Sequence, residues 1–345
     1  MDQPAPLPRA PTDSRESGAA KLQDAFGRRF EYLRLSLTQR CNFRCTYCLP
    51  NGYRKPAGCA PELTPDEIGR AVRAFADLGL WKLRLTGGEP TVRADFDAIA
   101  RQVAAVPGIR RVAMTTNGYR LAQRASDWRS AGIDAVNVSV DTLDPHAFAQ
   151  ITGHDRLDEV VAGIDAALAA EYAAVKVNSV LMDQIDEGAW DRILAFVQHR
   201  DVSWRFIELM RTNDNARFFE TTHTPADALR QRLEHGGWTA LARRSGAGPA
   251  VEYAHPASRG RIGIIAPYSP GFCDSCNRLR LSSTGKLHLC LFGEAGIDLR
   301  PLLQSDAQRD ELVARILSSM PGKAQGHRLH DGDSGATPHL ASIGG

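Results

Sequence analysis

Residues 32–50 read YLRLSLTQRCNFRCTYCLP, and the fold turns on how this stretch is read. In its first half Leu33, Leu35 and Leu37 alternate with Arg34, Ser36 and Thr38. That period of two places apolar and polar side chains on opposite faces of a strand. The second half carries Cys41, Cys45 and Cys48, spaced CxxxCxxC in a loop directly after the strand. Three thiolates so spaced can wrap a [4Fe–4S] cube and leave one iron without a protein ligand. A structural zinc loop that borrows a distant fourth ligand has the same spacing and stays open at this point.

Outward from this stretch, strand-like segments recur at 82–87, 111–117, 135–141, 174–182 and 204–210, with helical patterns between them near 94–106, 121–131, 157–170 and 187–199. Thr64-Pro65-Asp66-Glu67 combines an N-cap, a first-turn proline and a capping-box glutamate ahead of a further helix. Six β-α units in a row predict a parallel sheet with right-handed crossovers. Strands covered by helices on both faces should be continuously apolar, yet these alternate. Arg34, Lys82, Arg84, Thr115, Asn117, Asn137, Ser139, Asp141, Lys176, Asn178 and Arg205 fall on one face. The expected fold is α/β: a partial (β/α)6 TIM-type barrel whose polar, cationic lumen suits a polyanionic small molecule such as a triphosphate.

The division expected along the chain is a flexible tail at 1–23, the barrel at 24–222, an α+β extension at 223–320 with helical stretches near 297–303 and 306–319, and a glycine-rich, extended tail at 321–345 ending in Gly344-Gly345. The extension holds a second cysteine group, Cys273, Cys276 and Cys290, on a predicted hairpin, with Arg278 and Arg280 alternating onto the face of Cys276. Cys59 is left over, and a Cys₃His zinc site through His288 is the competing reading of the second group. The 345 residues carry 42 basic and 40 acidic side chains, a net charge of +2, which argues against a bulk-electrostatic binder of nucleic acid or anionic membrane. No apolar run is long enough to span a bilayer and no signal-peptide core stands at the N-terminus, so a cytoplasmic protein is expected.

TGGEP at 86–90, whose Glu89 can pair with a cationic group, follows CxxxCxxC by one β-α unit and resembles with it the hallmark pair of the radical S-adenosylmethionine (SAM) superfamily. With TTNGYRL, VNVSVDTLD, ITGHD, VKVNSVLM, RFIELM, FCDSCNRLRLSSTGKLHLCLFGE and the terminal IGG, the chain is similar from about residue 24 onward to the molybdenum cofactor biosynthesis protein A family. The resemblance implies two [4Fe–4S] clusters, one on Cys41, Cys45 and Cys48 that receives SAM, and one on Cys273, Cys276 and Cys290 that receives the guanine of GTP. It implies SAM contacts at Tyr47, Gly88, Ser139 and Met210. GTP would be held by Arg34, Lys82, Arg84, Thr115, Lys176 and Arg205, with Arg278 and Arg280 also contacting it as the catalytic pair. A 5′-deoxyadenosyl radical would take the ribose 3′ hydrogen, and the C3′ radical would add to guanine C8. The terminal glycines would insert toward the site. The partners implied are an external electron donor, a downstream cyclic pyranopterin monophosphate synthase and a second copy of the chain. Gln39, and Arg211 with Thr212 and Asn213, depart from the usual family residues. The rivals are another radical SAM enzyme with an auxiliary cluster, such as a peptide maturase, and a non-enzymatic metal-binding or electron-transfer module.

Overall fold

The structure, a computed structural model, describes residues 22–344 except 56, 57, 184, 244, 245, 294, 337–340 and 342. Residues 1–21 and Gly345, which the expectations for both tails include, lie outside the described residues. Leu22, placed by the sequence reading in the N-terminal tail, is buried in the core.

Six strands follow one another in parallel: β1 (Tyr32–Ser36), β2 (Lys82–Thr86), β3 (Arg111–Thr116), β4 (Ala135–Ser139), β5 (Ala174–Leu181) and β6 (Ser203–Glu208). The helices are α1 (Pro65–Asp77), α2 (Phe96–Ala104), α3 (Leu121–Ser130), α4 (Pro145–Thr152), α5 (Leu157–Ala169), α6 (Glu187–His199), α7 (Ala216–Thr222), α8 (Asp227–His235) and α9 (Arg309–Ser319). The predicted start of α1 is realised as a capping box, with Thr64 and Glu67 each bonding the other's backbone N–H. Glu67 also takes the Arg300 guanidinium, Nε at 2.9 Å, and so ties α1 to the C-terminal region. Helix α4 was not anticipated; Asp144 caps it, Pro145 opens it and Gly153 ends it in the left-handed conformation.

The strands of the extension join the same sheet. They are β7 (Thr239–Ala240), β8 (Val251–Ala254), β9 (Arg261–Ile265), β10 (Arg278–Leu281), β11 (Lys286–His288) and β12 (Ile297–Asp298). The full order is β12-β11-β10-β1-β2-β3-β4-β5-β6-β9-β8-β7. Strand β10 lies parallel to β1 at one edge, and β9 lies parallel to β6 at the other. Residues 266–277, with Cys273 and Cys276, therefore carry the chain from one edge of the barrel sheet to the other. The hairpin expected for the second cysteine group is the antiparallel pair β10–β11. The helix expected near 297–303 is instead β12 followed by a short 3-10 turn, and the tail expected to be extended folds into 3-10 turns at Met320–Gly322 and Leu329–Asp331.

The alternation sorts the faces as expected. Leu33, Leu35, Leu83, Leu85, Met114, Val136, Val138, Val175, Val177, Trp204 and Phe206 are buried among the helices. On the other face Lys176 of β5 lies within electrostatic reach of Lys82 and Arg84 on β2, strands that are not neighbours, so that face is concave.

Candidate active site

The lumen is built in cross-strand rows. One row reads Arg278–Tyr32–Lys82 and the next His288–Arg280–Arg34–Arg84, so the second cysteine strand, the first strand and the second strand present cations side by side. Further round, Thr115, Asn137 and Lys176 share a row, as do Ser139, Asn178 and Arg205. The predicted cationic set therefore converges on one concave surface. Burial pulls Lys176 well below the ordinary lysine range, and Arg205, Arg84 and Lys82 add to the effect; Lys82 is lowered for the same kind of reason. Like charges crowded out of water without an anion are costly, and that cost falls when an anion binds. Arg84 Nη1 donates to Thr115 Oγ1 at 3.2 Å, while Arg84 Nε, Asn137 Oδ1 and Asn178 Oδ1 are buried with no protein partner. Buried polar atoms of this kind ask for a ligand.

Two groups in the lumen escaped the sequence reading. The buried ring of Tyr32 lies under Lys82 Nζ at 4.8 Å and the Arg84 guanidinium at 5.7 Å, a cation–π pair of contacts. Its place two residues before Arg34 was available from the period of two. Glu252 of β8 pairs with Arg205, and no local pattern announces it because its place depends on how β8 docks.

The first cysteine loop leaves the C-terminal end of β1. The Cys41 sulfur accepts from the Phe43 N–H at 3.4 Å and has the Asn117 side-chain amide at 4.0 Å. Burial pushes the Cys41 thiol up to about 12 and Cys48 up to about 11, and Cys45 is raised as well. Gly87 and Gly88 press on this loop. A Cβ on Gly87 would meet the Thr38 carbonyl oxygen at 2.3 Å, and one on Gly88 the Arg40 carbonyl oxygen at 2.4 Å. Glu89, expected to pair with a cationic group, instead accepts from Thr91, Thr116 and the Asn117 N–H, and so pins the turn to the end of β3. Tyr47 donates to Asp141 Oδ2 at 3.0 Å, and Asp141 takes the Val180 N–H at 2.8 Å. Beside them a cavity of about 330 Å³ is lined by Thr46, Asp141, Val180, Met182 and Phe206 among others. Ser139 lies half-buried in the row of Asn178, and Met210 follows β6, its carbonyl taking the Asn215 side-chain amide at 3.0 Å.

The second group opens at the other end. Because β10 runs parallel to β1, Cys276 precedes the row that Cys41 follows, and Cys290 returns beside it at the end of β11. The five residues of β1 span about 16 Å, so the two groups bracket the cationic rows. Burial alone would raise Cys276, but Arg278 and Lys323 bring it down to about 7. Arg28 Nη1 donates to the Cys273 carbonyl at 3.0 Å, and Lys323 Nζ to the Leu289 carbonyl. Burial and Arg280 hold His288 down at about 4.

From above, Gly344 closes on the lumen. Its carbonyl accepts from Arg280 Nη1 at 2.6 Å and Arg34 Nε at 3.0 Å, and a Cβ on it would stand 2.3 Å from Thr86 Cγ2. With φ at +69° the position suits glycine twice over. Arg211, one of the departures from the family pattern, turns away from the lumen; its guanidinium reaches the Gly332 carbonyl, while Asn213 bonds Ser334 and Gly335, so both grip the C-terminal segment.

Among the described residues no three His, Cys, Asp or Glu side chains close on a single metal ion. The donor chemistry, three sulfurs per group, fits an iron–sulfur cluster with one iron left open. No helix of the described residues is long and apolar enough to cross a membrane.

The family profile described as Radical SAM superfamily matches residues 35–197, and that described as Molybdenum Cofactor Synthesis C matches residues 202–329. A protein of Aeromonas hydrophila named GTP 3′,8-cyclase is 55% identical over 328 residues, covering 94% of this chain and 96% of its own length. Proteins of the same name from Haemophilus influenzae and Stenotrophomonas maltophilia are 52% and 53% identical, over 95% and 94% of this chain and 97% and 100% of theirs. Among solved structures, SuiB of Streptococcus suis bound to S-adenosylmethionine superposes with a TM-score of 0.55 at 14% identity; the match covers 76% of this chain and 60% of SuiB, and carries the fold alone.

Proposed function

The chain belongs to the GTP 3′,8-cyclase family of the radical SAM superfamily, and from that membership we propose that it converts GTP to (8S)-3′,8-cyclo-7,8-dihydroguanosine 5′-triphosphate, the first step of molybdenum cofactor biosynthesis. The observation that carries this reading is the pairing of β10 with β1. It aligns Arg278 and Arg280 with Tyr32 and Arg34 and sets the two cysteine groups at opposite ends of one cationic lumen.

Cys41, Cys45 and Cys48 hold the [4Fe–4S] cluster that carries SAM, and Cys273, Cys276 and Cys290 hold a second. When bound, the first cluster and SAM, given an electron from the external donor, would supply the deoxyadenosyl radical that removes the ribose 3′ hydrogen; C3′ would then bond to guanine C8, and a further electron and a proton would complete the 7,8-dihydro product. The chain's own work is to bind, orient and exclude water. Tyr47, fixed by Asp141, and Gly88, Ser139 and Met210 line the SAM end. Lys82, Arg84, Lys176 and Arg205 take the triphosphate with Thr115, and guanidinium forks fix it as well as neutralise it. Arg34, Arg278 and Arg280 would also contact GTP, and the Gly344 carbonyl meets the Arg34 and Arg280 guanidiniums. Residues 24–222 and 223–320 act as one site across a shared sheet.

Anaerobic reconstitution with SAM, reductant and GTP tests the reading. The expected product is the 3′,8-cyclised nucleotide with one 5′-deoxyadenosine per turnover; a protein holding both clusters that forms no deoxyadenosine above background with GTP would falsify it.

A further inference from the structure

The lumen lined by cations also holds a carboxylate that needs a reason. A negative charge beside a triphosphate site opposes binding unless it does something more useful than it costs. Strand β9 pairs Gly263 with Arg205 of β6, and β8 pairs Glu252 with the same Gly263. Glu252, Gly263 and Arg205 therefore form one cross-strand row whose middle member has no side chain. Across that gap Arg205 Nη2 meets Glu252 Oε1 as an ion pair. The other carboxylate oxygen accepts from Ser203 Oγ at 2.7 Å, and Ser203 Oγ accepts from Arg205 Nε at 2.9 Å. The guanidinium is held at two nitrogens in a closed ring of contacts. A Cβ at position 263 would stand 2.9 Å from Arg205 Cγ and 3.3 Å from Glu252 Oε1, so the ring closes because that residue is glycine.

Arg205 needs such a hold. Arg84 and Lys176 lie within electrostatic reach and repel it, and an arginine on a flexible stem would swing away from them. We propose that Ser203, Glu252 and Gly263 are a positioning unit that presets Arg205 toward the nucleotide's phosphates, leaving the rest of its fork for phosphate oxygens. The unit comes from both parts of the chain: Ser203 and Arg205 from the barrel strand β6, Glu252 and Gly263 from the strands of the extension. It rests on the reading of Arg205 as a GTP ligand.

The experiment compares Arg205→Ala, Glu252→Gln, Gly263→Ala and the double variant Arg205→Ala/Glu252→Gln in the cluster-loaded protein, reading KM for GTP, kcat, iron content and GTP-independent SAM cleavage. Glu252→Gln keeps the shape and removes the charge; Gly263→Ala keeps the charge and wedges the pair apart. Each is expected to raise KM about tenfold, the scale of losing a charged hydrogen bond, with kcat, iron and SAM cleavage unchanged. The double variant is expected to bind GTP no worse than Arg205→Ala alone, because the carboxylate acts only through that arginine. A merely structural role would lower iron content and kcat instead. If Arg205→Ala raises KM while Glu252→Gln and Gly263→Ala leave it unchanged or lower it, the positioning unit is overturned and the GTP role of Arg205 stands. If Arg205→Ala itself leaves KM unchanged, that role falls and the unit with it.

Discussion

The two cysteine groups lie at opposite ends of the paired strands β1 and β10, and their surroundings are opposite in charge. Around Cys41, Cys45 and Cys48 burial dominates, and the neighbouring carboxyls Glu89 and Asp141 push Cys41 and Cys45 further up. Around Cys276 burial acts in the same direction but Arg278 and Lys323 overcome it. The first site offers little positive charge of its own, so whatever settles there must bring cations. The sulfonium of the proposed SAM would bring such a charge. The second site arrives with arginines and a lysine, which suits an anionic substrate. On the proposed reading, near-identical ligand sets take different partners because of the groups around them.

The largest effect that could break this contrast comes from deleting one ligand at each site. Cys45→Ala is expected to abolish SAM cleavage altogether. Cys276→Ala should abolish GTP cyclisation while reductant-driven SAM cleavage persists, and iron in each variant should fall from about eight to about four per chain. Loss of SAM cleavage in both would erase the division of labour.

Arg278→Ala comes next. We expect GTP turnover to drop at least about tenfold, the scale of removing a charged contact, with iron retained; unchanged kinetics would take Arg278 out of the site.

A smaller effect is read from pH. Lys176 is held well below its usual value of 10.5, so its neutral fraction grows earlier as pH rises. Only the charged form favours a triphosphate, so KM for GTP should climb with pH in the alkaline range below that value. Lys176→Arg stays charged throughout and should flatten the climb; an equal slope in both proteins would assign it elsewhere.

The smallest is expected from Arg28→Ala, which frees the carbonyls of Cys273, Ala324 and Gln325 and the Asp24 carboxylate but nothing near the first loop. The second cluster should be lost a few-fold faster to chelator, the first at an unchanged rate, followed by their separate electron paramagnetic resonance signals.

Much of the site was legible locally. CxxxCxxC after a strand, the GGEP turn and the alternation of Arg34, Lys82, Arg84, Thr115, Lys176 and Arg205 are patterns of spacing, and a strand's period converts spacing into a face. Tyr32 obeyed the same period and could have been included. Glu89 shows the limit from the other side. Its turn was recognised, but its carboxylate serves Thr91, Thr116 and Asn117 rather than a cation. Arg28, Lys323 and Glu252 had no local signal at all, because each acts on residues far along the chain.

By itself the sequence determined the units: which segments are strands, which faces are polar, where six thiols stand and what family they mark, since these depend on neighbours a few residues apart. Only the tertiary structure decided that the extension continues the barrel sheet at both edges, that β10 lies against β1, and that Gly263 opens a gap for Arg205 and Glu252 to meet. Pairing between distant strands is chosen by the packing of the whole sheet, and no short window of residues contains that information.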